Sequence, residues 1–260
     1  MIDNAHAKQE FEKYLDEYDR NDEQICLKIV HTYGVVKYAG EIARRMECSE
    51  EDVKLAELIG LLHDIGRFEQ IRRFHSFEPG TMDHAVFGAE LLFGEEKMIR
   101  RFIEEDRYDT LIDAAIRRHS DFKLEGIHEE RTLFHAKLIR DADKCDIFRV
   151  FAQEDPVDTT GFSTEQVGQE AVSDVVYESI LGHYCIKKQE RKTGLDVWVS
   201  FLGFFFDLNF AESLRIALKQ GYYKQRFSEI RCADPETKER VERCIAETEQ
   251  YAYTRLRMEE

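Results

Sequence analysis

Proline is scarce in this chain, with three in 260 residues. So few leave long helices unbroken and argue against a fold of loops and edge strands. Positive charge is in deficit too: 37 Lys and Arg stand against 53 Asp and Glu, a formal net charge of −16. An exterior that acidic repels phosphates, which excludes a general nucleic-acid or anionic-membrane surface but leaves room for a local cationic pocket. The six cysteines (Cys26, Cys48, Cys145, Cys185, Cys232, Cys244) include no Cys-x-x-Cys pair. They read as reduced, mostly buried thiols rather than a disulfide framework. Long apolar runs are missing as well. The most apolar stretch, Val197 to Phe206, is too short to span a bilayer and stops at Asp207. The segment Met1-Ile2-Asp3-Asn4-Ala5-His6 lacks the basic and apolar regions of a signal peptide. We therefore expect a soluble cytoplasmic protein with a sizeable core.

What is present is helical periodicity. Residues 1–22 set Phe11, Tyr14, Leu15 and Tyr18 at helical spacing, a first helix packed on the surface. From 24 to 46 an apolar stripe runs through Leu27, Val30, Tyr38, Ile42 and Met46, with His31 on it. Ser49 followed by Glu50-Glu51-Asp52 reads as an N-cap with an acidic first turn, and the helix it opens ends at His63-Asp64, with Gly66 as its stop. Residues 68–82 read as a loop with a turn at Pro79-Gly80, and Asp83 as the cap of a helix carrying His84, Phe87 and Leu91. A charged helix is expected over 95–105. An apolar stripe Leu111, Ile112, Ala115, Ile116 then ends in His119, and a helix over 131–151 carries Asp141 and Asp143. The acidic loop 153–160 is the best internal boundary, dividing 1–152 from 153–260. Helices follow over 164–190, 195–220 and 235–257. Nothing alternates as a strand would. The expected fold class is all-α.

His31, His63, His84 and His119 all lie on or at the end of apolar stripes, with Asp64 and Asp143 beside them. A single inward histidine is more often a satisfied core residue than a ligand. Four in successive helices, with carboxylates, would bury much polar surface without partners, and metal coordination removes that cost. Neighbouring residues on a helix point about 100° apart, so His63 and Asp64 could straddle a dinuclear centre. Arg67, Arg72, Arg73 and Lys144 lie near these residues and could meet a phosphate, Arg67 and Lys144 most directly. His6, His75, His128, His135 and His183 read as structural or surface residues. Phe204–Phe206 and Tyr222-Tyr223 read as core or a partner interface.

The order His … His-Asp … His … His … Asp, with Leu-Leu-His-Asp-Ile-Gly-Arg around the doublet and Ala-Asp-Lys around the last carboxylate, resembles the HD superfamily of metal-dependent phosphohydrolases over residues 23–150. Phe-Phe-Asp-Leu-Asn-Phe at 205–210 loosely resembles the tail of bacterial HD proteins of unassigned substrate. The resemblance implies an HD-domain helical bundle with a C-terminal helical extension packed on it. It implies two divalent metal ions (Fe, Mn, Ni or Mg), with Asp64 bridging. His31, His63 and Asp143 would complete one site, His84 and His119 the other. Its Ala-Asp-Lys pattern selects Asp143 over Asp141. No Gly-Tyr-Pro tripeptide follows His119, which sets the chain apart from the cyclic-dinucleotide branch.

The activity so implied is hydrolysis of a small phosphorylated compound, foremost a nucleotide, by a metal-activated water, with Asp64, Arg67 and Lys144 as catalytic residues. A di-iron oxygenase of the same superfamily, using O₂, would present the same six ligands. A non-catalytic ligand-binding signalling module is the third reading, and a homo-oligomer is compatible with all three.

Overall fold

A computed structural model describes residues 2–77 and 80–258, and among these no strand occurs. The chain divides into two units, Met1–Asp146 and Ile147–Glu260. In the first unit, α1 (Asn4–Leu15) starts where Asp3 accepts from the amides of Ala5 and His6, both at 3.0 Å. α2 (Glu23–Arg45) is capped by Asp22, and α3 (Glu50–Leu62) by Ser49, whose hydroxyl accepts from the Asp52 amide at 3.1 Å. α4 (Ile65–Phe74) follows α3 almost without pause, and α5 (His84–Phe93) is capped by Asp83. After α6 (Asp109–Arg118) comes α7 (Glu130–Gln153), inside which the division between units falls.

Several expectations need correction. The first helix stops at Leu15; it packs through one face, Phe11, Tyr14 and Leu15, while His6, Lys8, Gln9 and Lys13 stay exposed. The rings of Phe11 and Tyr14 pack with Tyr18 against Phe68 of α4, at centroid separations of 5.9 Å for Phe11 and 6.1 Å for Tyr14. The Tyr14 hydroxyl donates to the Ile65 carbonyl at 3.0 Å. On α2, Val30 faces outward at 44% exposure, because the buried face is set by Ile25, His31, Val35, Tyr38 and Ile42. Residues 65–74 are helix, not loop, and of the expected loop only 75–77 and 80–82 lack helix among the described residues; Pro79, half of the expected turn, lies outside them. The charged helix over 95–105 shrinks to one 3₁₀ turn, Met98–Arg101. Of the cysteines, all free, only Cys145 and Cys244 are buried and Cys26 is exposed.

Gly66 is likewise not a helix stop. It lies in the first turn of α4, where a Cβ would collide with the His84 carbonyl oxygen and stand 2.8 Å from the Gly88 amide nitrogen. The glycine lets α4 and α5 touch backbone to backbone, which brings His84 up to Asp64.

The second unit is built from shorter pieces than the periodicity suggested. α8 (Pro156–Thr160) lies in the expected loop 153–160. α9 (Thr164–Gly168) and α10 (Asp174–Leu181) replace the helix expected over 164–190, and α11 (Gly194–Ser200) and α12 (Ala211–Gln220) the one over 195–220. After the short α13 (Tyr222–Gln225), the long α14 (Pro235–Met258) is the helix expected over 235–257. Its core centres on Phe148, Phe151, Trp198, Phe205 and Tyr223, with Phe151 edge-on to Trp198 at 5.3 Å and Phe205 edge-on to Tyr223 at 4.9 Å. The breaks have local causes. Asp196 is fully buried and accepts from the amides of Ser173 and Lys192, both at 2.8 Å, which ties two chain ends together. Gly221 ends α12 with φ of 67°, a conformation that L side chains rarely adopt. No described helix is long and apolar enough to cross a membrane.

The close approach at Gly66 makes a prediction. Gly66→Ala should lower stability by about 1–3 kcal/mol, as overpacking of a backbone contact does, while Gly80→Ala, with nothing within 4 Å of its Cβ position, should not. Urea denaturation of both variants would measure it, and equal midpoints would show that α4 and α5 can part without cost.

Candidate metal centre

The helix ends of the first unit supply most of the site. His63 follows the last residue of α3 and donates from Nδ1 to the Gly60 carbonyl at 2.8 Å. His119 caps α6 and donates from Nδ1 to the Ile116 carbonyl at 2.7 Å. Both bonds use carbonyls in the last turn of a helix, where the i to i−4 ladder runs out and acceptor capacity is left over. A carbonyl can only accept, so each Nδ1 carries the proton and each Nε2 is left with its lone pair. His31, on α2, turns its Nδ1 outward by another route: Nδ1 lies 2.8 Å from a carboxylate oxygen of Asp146, which is fully buried.

Asp64 stands at the N-cap position of α4, yet its side chain makes no capping bond. An aspartate there ordinarily accepts from the helix amides. Instead its two oxygens divide the histidines. Oδ2 faces His31 Nε2 at 3.8 Å and His63 Nε2 at 3.6 Å. Oδ1 faces His84 Nε2 at 3.2 Å and His119 Nε2 at 3.7 Å. Asp143, on α7, adds an oxygen 3.1 Å from His31 Nε2 and 3.9 Å from His63 Nε2. The four imidazoles form a row, with ring centroids 5.5 Å apart for His31–His63, 5.2 Å for His63–His119 and 5.0 Å for His119–His84. Two groups result that could each hold a metal ion, His31–His63–Asp64 and Asp64–His84–His119, with Asp64 common to both.

The donor chemistry fits a cation. His63 Nε2 is buried and has no hydrogen-bond partner. It is a lone pair aimed at two carboxylates, an arrangement stabilised by a positive ion between them and by little else. His84 Nε2 and His119 Nε2 approach to 3.2 Å; since His119 presents a lone pair, the proton of that contact belongs to His84.

Burial holds His63 and His84 neutral. Desolvation brings His63 down to about 4 and His84 to about 3, against the pull of Asp64. His31 goes the other way: burial and Lys28 oppose its charge, but the hydrogen bonds to Asp143 and Asp146 prevail and raise it. Burial would raise both carboxyls, yet the charges of Lys28 and His63 hold Asp64, and the hydrogen bond and charge of His31 hold Asp143, well below the usual carboxylate range.

The six residues expected as ligands are thus brought together. Of the cations, Arg67 has its Nε 3.7 Å from Asp64 Oδ1 and is braced through Nη1 by Gln70 Oε1 at 2.6 Å and the Phe77 carbonyl at 3.1 Å. Lys144 is buried beside Asp143, and its ammonium donates to the Arg140 carbonyl one turn back at 3.4 Å. Arg72 and Arg73 are paired with Glu69 and half exposed. Asp141 is fully buried on α7. His135, read as structural, is fully buried and paired with Asp52 at 3.1 Å.

Two residues escaped the sequence reading. Asp146 follows Asp143 by three positions and so shares its helix face. Gly34 makes room for it, since a Cβ at that position would collide with the Asp146 carboxylate. Lys28 precedes His31 by three positions, and its Nζ lies 2.9 Å from Asp64 Oδ2. The spacing was the available signal in both cases.

The family model of the HD domain matches residues 29–147. No curated protein and no solved structure matches the chain.

Two predictions follow from the geometry. Asp146→Asn should weaken metal binding roughly 10–100-fold, the usual cost of losing the partner that orients a ligating histidine, as read by titration calorimetry with Mn²⁺; unchanged affinity would mean that His31 does not depend on Asp146. The metal-free protein should also lose stability on acidification. The unfolded chain binds protons on its histidines near 6.5, whereas folded His63 and His84 resist to about 4 and about 3, so the unfolded state gains protons first as pH falls. Their contribution is complete above about 6.5 and declines below it, partly offset by His31. Urea midpoints measured down to pH of about 4 should fall; a flat profile would contradict buried neutral imidazoles.

Proposed function

We propose that residues 29–147, which match the family model of the HD domain, form the centre of a metal-dependent phosphohydrolase acting on a small phosphate ester, foremost a nucleotide. One observation carries the reading: His31, His63 and His119 all have Nδ1 bonded outward, so that their Nε2 atoms converge on the carboxylates of Asp64 and Asp143. His31, His63, Asp64 and Asp143 would hold one divalent ion, and Asp64, His84 and His119 a second. Bound there, such ions acidify water into a nucleophile at neutral pH and neutralise phosphate oxygens.

The protein's own groups divide the remaining work. Asp146 fixes the tautomer and angle of His31, and the Gly60 and Ile116 carbonyls do so for His63 and His119. Arg67, clamped by Gln70 and Phe77, offers a planar fork to a phosphate near Asp64. Lys144 adds a buried positive charge beside Asp143. Burial of the ligands keeps solvent from competing for the same lone pairs.

The test is elemental analysis of purified protein, then phosphate release from a nucleotide panel with Mn²⁺ or Fe²⁺. Asp64→Ala should lose both metal groups at once and abolish release. Metal bound without phosphate release, accompanied by O₂ uptake from an iron-loaded sample, would transfer the reading to an oxygenase. No metal bound on reconstitution would remove the centre altogether.

A further inference from the structure

Resting on that reading, we infer that Lys28 is a built-in counterion that holds the bridging carboxylate until metal arrives and then becomes the second, movable arm of the phosphate clamp. Lys28 lies on α2, one turn before His31, so both side chains point to the same side of the helix. Its ammonium is 2.9 Å from Asp64 Oδ2, the oxygen that faces His31 and His63. The other oxygen, Oδ1, faces His84, His119 and Arg67. Each oxygen of the carboxylate therefore has its own cationic neighbour.

The two cations are held very differently. Arg67 is braced by Gln70 and by the Phe77 carbonyl. Lys28 makes its ion pair with Asp64 and otherwise rests over the Phe77 ring at 5.4 Å, on the same ring that Arg67 approaches at 6.0 Å. Its side chain is partly exposed, at 17%, whereas Asp64 is closed off, at 4%. An unbranched stem with a path to solvent can swing; a braced guanidinium cannot. An ammonium and a divalent ion on one carboxylate oxygen repel each other across a single atom. A divalent ion there would carry two charges and would be held by three further donors of the protein, His31, His63 and Asp143, so the lysine is the group that yields. Released from Oδ2 but still beside Phe77, it stands next to Arg67 at the edge of the site. There the two cations face a substrate phosphate together.

The experiment titrates Mn²⁺ into the metal-free full-length protein by calorimetry, comparing wild type with Lys28→Met and Lys28→Arg. It then titrates inorganic phosphate into each Mn²⁺-loaded protein. Lys28→Met should bind Mn²⁺ more tightly by roughly tenfold, the size of effect that partners of a ligating group commonly carry, here with opposite sign. The same variant should bind phosphate more weakly, and Lys28→Arg should restore phosphate binding. Lys28→Gln, also neutral, should repeat the sign if the Met variant misfolds by circular dichroism. Equal or weaker Mn²⁺ binding in the neutral variants would overturn the counterion role, and unchanged phosphate affinity would overturn the clamp. Tighter Mn²⁺ binding in Lys28→Met, from a wild type that binds metal but releases no phosphate, would fell the hydrolase and leave the counterion role standing.

Discussion

One carboxylate organises the first unit. Asp64 occupies a helix N-cap but leaves the helix amides uncapped, and its two oxygens are shared among four histidines, a lysine and an arginine. A buried carboxylate is tolerated only with strong compensation. That requirement explains the surrounding architecture: α2 must bring His31 and Lys28, α3 must end at His63, and α5 must start at His84. The contact of Gly66 with the α5 backbone is the same constraint seen from the packing side.

Helix ends do the orienting. A helix mid-section offers no free carbonyl to an imidazole, but a C-terminus does, and both His63 and His119 sit at such ends and use the carbonyl three residues back. His31 sits mid-helix and must borrow an acceptor from another element, which is why a buried Asp146 and the space beside Gly34 are needed. The same ring orientation, Nδ1 outward and Nε2 inward, is thus reached by two routes. Each leaves Nε2 as the inward donor, which is the property a metal requires.

Much of this was legible in the sequence, because it rested on helical periodicity and caps. Ser49 and Asp83 cap the helices expected of them, and His31, His63, His84, His119, Asp64 and Asp143 come together. The rest was hidden for physical reasons. Residues 68–74 carry charges and aromatics that look like a loop, yet Phe68 packs on the rings of α1 and Ile71 is buried, and tertiary burial decides their helix. Gly66 resembled a stop because glycine serves both turns and close approaches, and only the position of α5 distinguishes them. Asp146 and Lys28 sit at ordinary three-residue spacings in charged helices, where one more acid or lysine carries no special signal. In the second unit, long amphipathic windows were broken by a buried capping aspartate and by glycines whose effect depends on where the chain must turn.

Stability and chemistry are coupled in this arrangement. Buried neutral imidazoles and ionised carboxylates at one point leave a lone pair, His63 Nε2, with no donor to meet it. The fold bears that cost, and an ion held there would relieve it, so that binding energy would return as folding energy. The protein then needs a provisional cation to keep Asp64 buried in the meantime. The ammonium of Lys28 is placed to be that cation: close enough to neutralise the carboxylate, flexible enough to leave, and near enough to Arg67 to be of use once it has left.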